Sequence, residues 1–338
     1  MIRDNFLYRL VCVAACLALV VVTLGAFTRL KDAGLGCPDW PGCYGHLTVP
    51  ISTPSLVEVQ QHFSGAIVEP VKAWAEMIHR YVAGTLGLLI FVILARSWWT
   101  RHRYQTPLAL PVLLTILVIF QACLGRWTVT LKLLPPIVML HLLGGLTLLA
   151  LLSLFVLRLG CFFNAVKEAD KQRFKWWALL GLLIVIGQII LGGWTSANYA
   201  SLSCPNFPYC HNTLVPTLNF THAFTLGDKM GQNYQGGVLD QMTRMTIQFT
   251  HRVGAACVFF YWLIFLLYML AKAESRTILR FTILLFFMLV LQMLLGVMNV
   301  ILLLPLHIAV SHNGSAALLL VVVVALNYAL FVKARDMP

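Results

Sequence analysis

The chain has 338 residues, 60% of them hydrophobic and only 11% charged, with a net charge of +12 and a mean hydropathy of +0.84. Soluble domains are about 45–50% apolar and about 25% charged, so this composition excludes an aqueous enzyme or a nucleic-acid-binding module built on one soluble core. The positive balance needs no nucleic acid, because a polytopic membrane protein gathers Lys and Arg in its cytoplasmic loops. The expected fold class is all-α integral membrane.

A transmembrane helix needs about 20 mostly apolar residues. Eight segments supply them: 8–28, 77–96, 107–128, 136–157, 175–195, 245–271, 279–300 and 306–331. The first follows Arg3 and Arg9 as a secretory signal would, but its end recurs later in the chain, so it is read as a span. With the N-terminus inside, the inner loops and tails hold Arg3, Arg9, Arg96, Arg101, Arg103, Arg158, Lys167, Lys171, Arg173, Lys175, Lys272, Arg276, Arg280, Lys333 and Arg335, which is 15 of the 24 basic residues. That bias predicts both termini in the cytoplasm and the long loops 29–75 and 196–244 on the outer side.

The chain repeats itself. Residues 24–43 align with 191–210 at an offset of 167, sharing a Leu-Gly pair, Thr28/Thr195 and a Cys-Pro-x-x-Pro-x-Cys frame. His79-Arg80 meets His251-Arg252 at 172, and Gln121-x-x-x-Gly125 meets Gln292-x-x-x-Gly296 at 171, as does His141 with His312. Two four-helix units follow, 1–170 and 171–338, related by a pseudo-twofold along the membrane normal because an even number of spans preserves orientation. The repeated Leu-Gly ends read as close helix packing.

Of the ten histidines, His79, His141, His251 and His312 lie in spans and are the repeated ones. Polar groups at this depth are costly and face a bundle interior. Each is expected four to seven residues into a helix that starts from the outer side, about 6–10 Å deep. One imidazole from each of two facing helices makes a bis-axial haem site. Interhelical hydrogen bonding is the plainer alternative, and zinc would need further ligands. His307 and Glu76 could be recruited for that, but neither recurs in both halves. His307 points some 140° away from His312 and is read as a helix-end or pocket residue. His46, His62, His102, His211 and His222 sit in loops without pattern.

Glu76 precedes His79 by three residues and shares its helix face, whereas the second half has Gln248 there. The Glu76 half is therefore the candidate for chemistry and the Gln248 half for electron transfer, unless Glu76 only complements a helix dipole. Arg80 and Arg252 suit haem propionates or headgroups reached by snorkelling. Cys37/Cys43 and Cys204/Cys210 lie in the outer loops, where disulfides persist. They read as structural staples or, for the first pair, as a redox couple. Cys12, Cys16, Cys123, Cys161 and Cys257 read as small packing residues.

Taken together, the two repeats, Cys-Pro-Asp-Trp-Pro-x-Cys at 37–43, Glu76-x-x-His79-Arg80 and the histidines of the fourth, sixth and eighth spans resemble the haem A synthase family over essentially the whole chain. The resemblance implies an oxidoreductase that converts the C8 methyl of haem O to the formyl of haem A for aa3-type terminal oxidases. Two hydroxylations would give a gem-diol that loses water to the aldehyde. It implies substrate-haem ligation by His79 and His141, with Glu76 as the catalytic carboxylate, making 1–170 the substrate half. It implies haem b as cofactor on His251 and His312, making 171–338 the haem b half. It matches Cys37 and Cys43 to the family's first-loop cysteine pair. The implied partners are haem O, haem A, an unidentified electron donor, haem O synthase, oxidase assembly factors and membrane lipid. No nucleic acid is expected, homo-oligomerisation is left open, and the expected location is the inner (cytoplasmic) cell membrane. Two other classes use the same residues: a di-haem cytochrome b passing electrons from quinol, and a haem transporter or chaperone that leaves its cargo unaltered.

Overall fold

The computed structural model describes residues 4–63, 65, 67–104, 107–160, 166–226 and 231–332. Arg3, Cys161, Lys333 and Arg335 lie outside these residues. Among the described residues every regular element is helical: α1 (Asn5–Leu30), α2 (Thr53–His62), α3 (Pro70–Tyr104), α4 (Ala109–Thr130), α5 (Pro135–Gly160), α6 (Glu168–Ala197), α7 (Gln241–Lys272), α8 (Arg276–Ile301) and α9 (Leu306–Phe331). All but α2 are long and apolar enough to span a membrane. The chain is a multi-pass membrane protein, and the eight expected spans are all present.

Several boundaries differ from expectation, α6 starting at Glu168 rather than 175 and α3 running on to Tyr104 rather than 96. The second and sixth spans were expected over 77–96 and 245–271, but α3 starts at Pro70 and α7 at Gln241. Apolar runs mark only the lipid-buried part of a helix, and polar turns extend beyond it. His79 is therefore nine residues from the start of α3 and His251 ten from that of α7, while His141 and His312 are each six from theirs. The helix α2 was not expected. It is short, starts after Ser52 with a proline in its first turn, and lies within the first long loop.

In the first half α1 packs on α3 and α5, and α4 on α3 and α5; in the second α6 packs on α7 and α9, and α8 on α7 and α9. The halves meet through α1 on α9, its symmetry mate α5 on α6, and α5 on α9 along the axis. The pseudo-symmetry reaches the backbone. Trp40-Pro41 and Phe207-Pro208 are both cis, and Asp32 and Tyr199 share a left-handed φ of 54°. Single bridges join Cys43 to His46 and Cys210 to Thr213.

At the long-loop end the axis passes between equivalent residues. Arg29 donates to the carbonyl of Ser196 at 2.5 Å and the Tyr199 hydroxyl to Asp32 at 2.6 Å, each pair separated by 167 positions. The Arg29 guanidinium stacks 4.0 Å over the Tyr199 ring, and Gln235 donates to the other Asp32 oxygen at 3.0 Å. At the opposite end each half has a buried aspartate that ties its first two spans together. Asp4 caps α1 through Phe6 and Leu7 N–H and pairs with Arg96 of α3 at 3.0 Å. Asp170 of α6 accepts from Glu274 and Ser275 N–H just beyond α7.

Candidate functional site

Both histidine pairs lie at the long-loop end of the four-helix units. His79 of α3 and His141 of α5 face each other with ring centres 6.4 Å apart and planes at 86°. His251 of α7 likewise has His312 of α9 as its neighbour. Pairing is thus within halves, a point the sequence left open. Two metal–imidazole bonds of about 2.0–2.1 Å plus the two ring radii come to roughly 6 Å, so the His79–His141 gap suits one metal ion held between the rings. Among the described residues no group of three His, Cys, Asp or Glu is placed to hold a metal, which disfavours a zinc centre.

Each imidazole rests against a glycine of a neighbouring helix. A Cβ built on Gly25 would lie 3.0 Å from His79 Cε1, on Gly125 3.4 Å from His141 Cε1, on Gly192 3.0 Å from His251 Cε1, and on Gly296 3.2 Å from His312 Cε1. The Leu-Gly repeats are packing residues, but what they admit is the ring of a histidine. Close approach brings the main-chain carbonyls of Val21, Gln121 and Gln292, each four residues before its glycine, next to His79, His141 and His312. The Nδ1 atoms of these three rings are buried and form no hydrogen bond. A metal-bound imidazole directs its second N–H to a carbonyl or carboxylate, so these carbonyls are in place for rings whose Nε2 is a ligand. His251 has instead the Gln188 amide, whose Nε2 lies 2.9 Å from Nδ1 and donates to the His251 carbonyl at 3.0 Å. The donor set fits a tetrapyrrole iron with two axial histidines.

Glu76 is 5% exposed. Its carboxylate accepts from Cys37 N–H at 2.9 Å and from Arg80, one helical turn on, at 2.5 Å. Arg80 also donates to the carbonyls of Asp39 at 3.0 Å and Pro41 at 3.2 Å, and to that of Gly42. Gln248 repeats the arrangement with an amide, accepting from Cys204 N–H and donating to the Ser201 carbonyl. Arg252 donates to the carbonyls of Asn206 at 2.9 Å, Tyr209 at 3.1 Å and Cys204. Both arginines thus bind the loop ahead of their helix, a role that propionate or headgroup contact did not suggest. Sequence reasoning had no signal for it, because main-chain carbonyls carry no residue type.

The loops so bound are closed by disulfides, Cys37–Cys43 and Cys204–Cys210. Cys37, Cys43, Cys204 and Cys210 are fully buried. Cys12, Cys16, Cys123 and Cys257 are free. The remaining histidines stay apart from both pairs. His307 is exposed at the start of α9, His46 lies 3.7 Å from Glu58, and His211 contacts the Ser203 carbonyl at 2.9 Å. His62 bonds within α2 and His102 with Arg101, while His222 is exposed.

These features define an eight-span helical membrane protein with two internally repeated units, each holding a buried histidine pair beneath a disulfide-closed loop. The chain belongs to the COX15-CtaA family, described as cytochrome oxidase assembly protein, which matches residues 8–324. Among curated relatives, a protein of Shewanella oneidensis named heme A synthase is 44% identical over 94% of this chain and 94% of its own length. Proteins of the same name from Agrobacterium fabrum and Mesorhizobium japonicum are 28% and 27% identical over 89% of this chain, covering 83% and 84% of their own lengths.

Proposed function

We propose that this chain is a haem A synthase, oxidising the C8 methyl of haem O to the formyl of haem A for terminal-oxidase assembly, with haem b as its resident cofactor. The observation that carries this reading is the pairing of His79 with His141 at 6.4 Å within one turn of the buried Glu76 carboxylate. In this reading His79 and His141 hold the substrate haem in the unit 1–170. His251 and His312 hold haem b in the unit 171–338, where Gln248 replaces the carboxylate. Haem iron supplies the electron-transfer and oxygen chemistry that side chains lack.

The protein's contribution is binding, orientation and proton handling. Glu76 lies one helical turn before His79, and an intramembrane carboxylate hydrogen-bonded on both oxygens can hold or release a proton at Oε1 or Oε2 as charge develops nearby. Arg80 sets its position and fastens the loop, which with the disulfide caps the site against water. The basic-residue bias supports an orientation with both termini in the cytoplasm and the loop end on the outer side of the inner membrane. That orientation puts the disulfides in an oxidising compartment.

The deciding experiment co-expresses the chain with a source of haem O under oxygen and identifies the extracted haems by chromatography. Haem A should form with the intact chain and not with Glu76→Ala. Haem O left unconverted beside bound haem B would overturn the synthase in favour of an electron-transfer cytochrome.

A further inference from the structure

Gln121 and Gln292 are equivalent residues, each four positions before the glycine that meets the histidine of the next helix. Their amides are in different situations. In the second half the Gln292 Oε1 accepts from the Ser315 hydroxyl, and its Nε2 is turned toward His312 Nε2 at 3.4 Å, the atom that would hold iron. The first half has Gly144 at the position of Ser315, 171 residues earlier. With neither hydroxyl nor Cβ there, the Gln121 amide turns in against α5, and a Cβ built on Gly144 would fall 1.7 Å from its Nε2. Gln121 is 8% exposed, and its Nε2 is buried without a hydrogen-bond partner.

A buried donor left unpaired is costly, and a bilayer interior offers no water to relieve it. An oxygen brought by a ligand would satisfy it. Gly144 follows His141 by three residues on a helix running from the loop end inward, so the amide sits about 4.5 Å deeper than the axial ring. The loop end is the polar end of the unit and is the place for a tetrapyrrole's carboxylates. An oxygen on the opposite, inner edge must be uncharged. Haem O differs from haem B at such an edge: a farnesyl chain joined through a hydroxyl-bearing carbon replaces a vinyl group.

We propose that the Gln121 amide donates a hydrogen bond to this hydroxyl, and that the Gln121–Gly144 pair is how the first site selects haem O over haem B. The inference rests on the reading of His79 and His141 as the haem O site. It gives the Gly144/Ser315 difference a purpose: in the second site the Ser315 hydroxyl holds the equivalent glutamine by its oxygen and its N–H is turned toward His312, away from the place the Gln121 amide takes against α5.

The test is a spectrophotometric titration of the purified protein, with its haem b in place, by haem O or haem B. Wild type should prefer haem O. Gln121→Leu should weaken haem O binding roughly tenfold, the size of one hydrogen bond to a buried donor, and leave haem B binding unchanged. Gly144→Ser should do the same, because a Cβ there would fall 1.7 Å from Gln121 Nε2 and displace the amide from its place. An unchanged haem O to haem B ratio in Gln121→Leu overturns the proposal, as does an equal loss of affinity for both haems, which would mark Gln121 as structural. His79→Met and His141→Met separate the two readings. If they take up haem O as well as wild type, the site assignment itself fails. If they lose it while Gln121→Leu keeps its preference, only the role of Gln121 does.

Discussion

The main-chain N–H of Cys37 donates to the Glu76 carboxylate at 2.9 Å, so the disulfide-closed loop and the acid of the first site are one assembly. In the second half Cys204 makes the same contact to the amide of Gln248. Geometry is conserved between the halves while charge is not, which isolates charge as the variable.

Glu76→Gln should therefore preserve the fold, since an amide oxygen still accepts from Cys37, and should reduce haem A formation at least tenfold. Haem chromatography measures the product, and an unaltered haem b absorption spectrum would report the intact second site. Full conversion by this variant would show that Glu76 is only a structural acceptor.

Replacing His251 or His312 by Met should disturb a low-spin b-type spectrum in a protein that still purifies as a folded species. Gly192→Val should do so more mildly, because a Cβ there would lie 3.0 Å from the His251 ring, closer than an ordinary contact. Gly25→Val is its control: it presses on His79 and should leave that spectrum unchanged.

Arg252 holds three carbonyls of its loop. Arg252→Ala should lower stability by about 2–3 kcal/mol, the range for charged hydrogen bonds lost from a half-buried site, and make the segment near Cys204 more susceptible to proteolysis. Thermal unfolding in detergent and limited digestion check both parts.

Asp4 gives a pH signature at the other end of the bundle. Burial pushes its carboxyl up, but the bonds from Arg96, Leu7 N–H and Thr100, with the Arg96 charge, outweigh this and hold it below its ordinary 3.8. A carboxylate depressed in the folded state contributes stability that is present above the unfolded value and is lost as pH falls through the folded one. Asp4→Asn, which keeps a helix cap and removes the charge, should be less stable than wild type at pH 7. The difference should shrink below about pH 4, as followed by unfolding midpoints across pH.

The spans were legible because lipid demands long apolar runs, and the histidines because duplication displayed them twice. The cysteine frame was legible for the same reason. The start of α3 was not, since its first turns lie beyond the apolar run that marks the span. The work of Arg80 and Arg252 was hidden because their acceptors are backbone carbonyls. The Leu-Gly repeats read correctly as packing, yet nothing along the chain says that the surface approaching Gly25 or Gly192 is an imidazole. Gln121 and Gln292 looked alike until Gly144 and Ser315 were seen opposite them.

The contacts of Arg29 with Ser196 and of Asp32 with Tyr199 have an evolutionary consequence. If a single four-helix unit paired with a copy of itself in this geometry, every residue on the axis would confront its own double. An arginine or aspartate there would face a like charge, so such an ancestor could keep only self-tolerant residues at these places. Fusion into one chain lifts that restriction, because each position can then mutate without its twin. The polar seam between the halves is of a kind that two identical units could not form, and it holds together two sites that have since become free to differ.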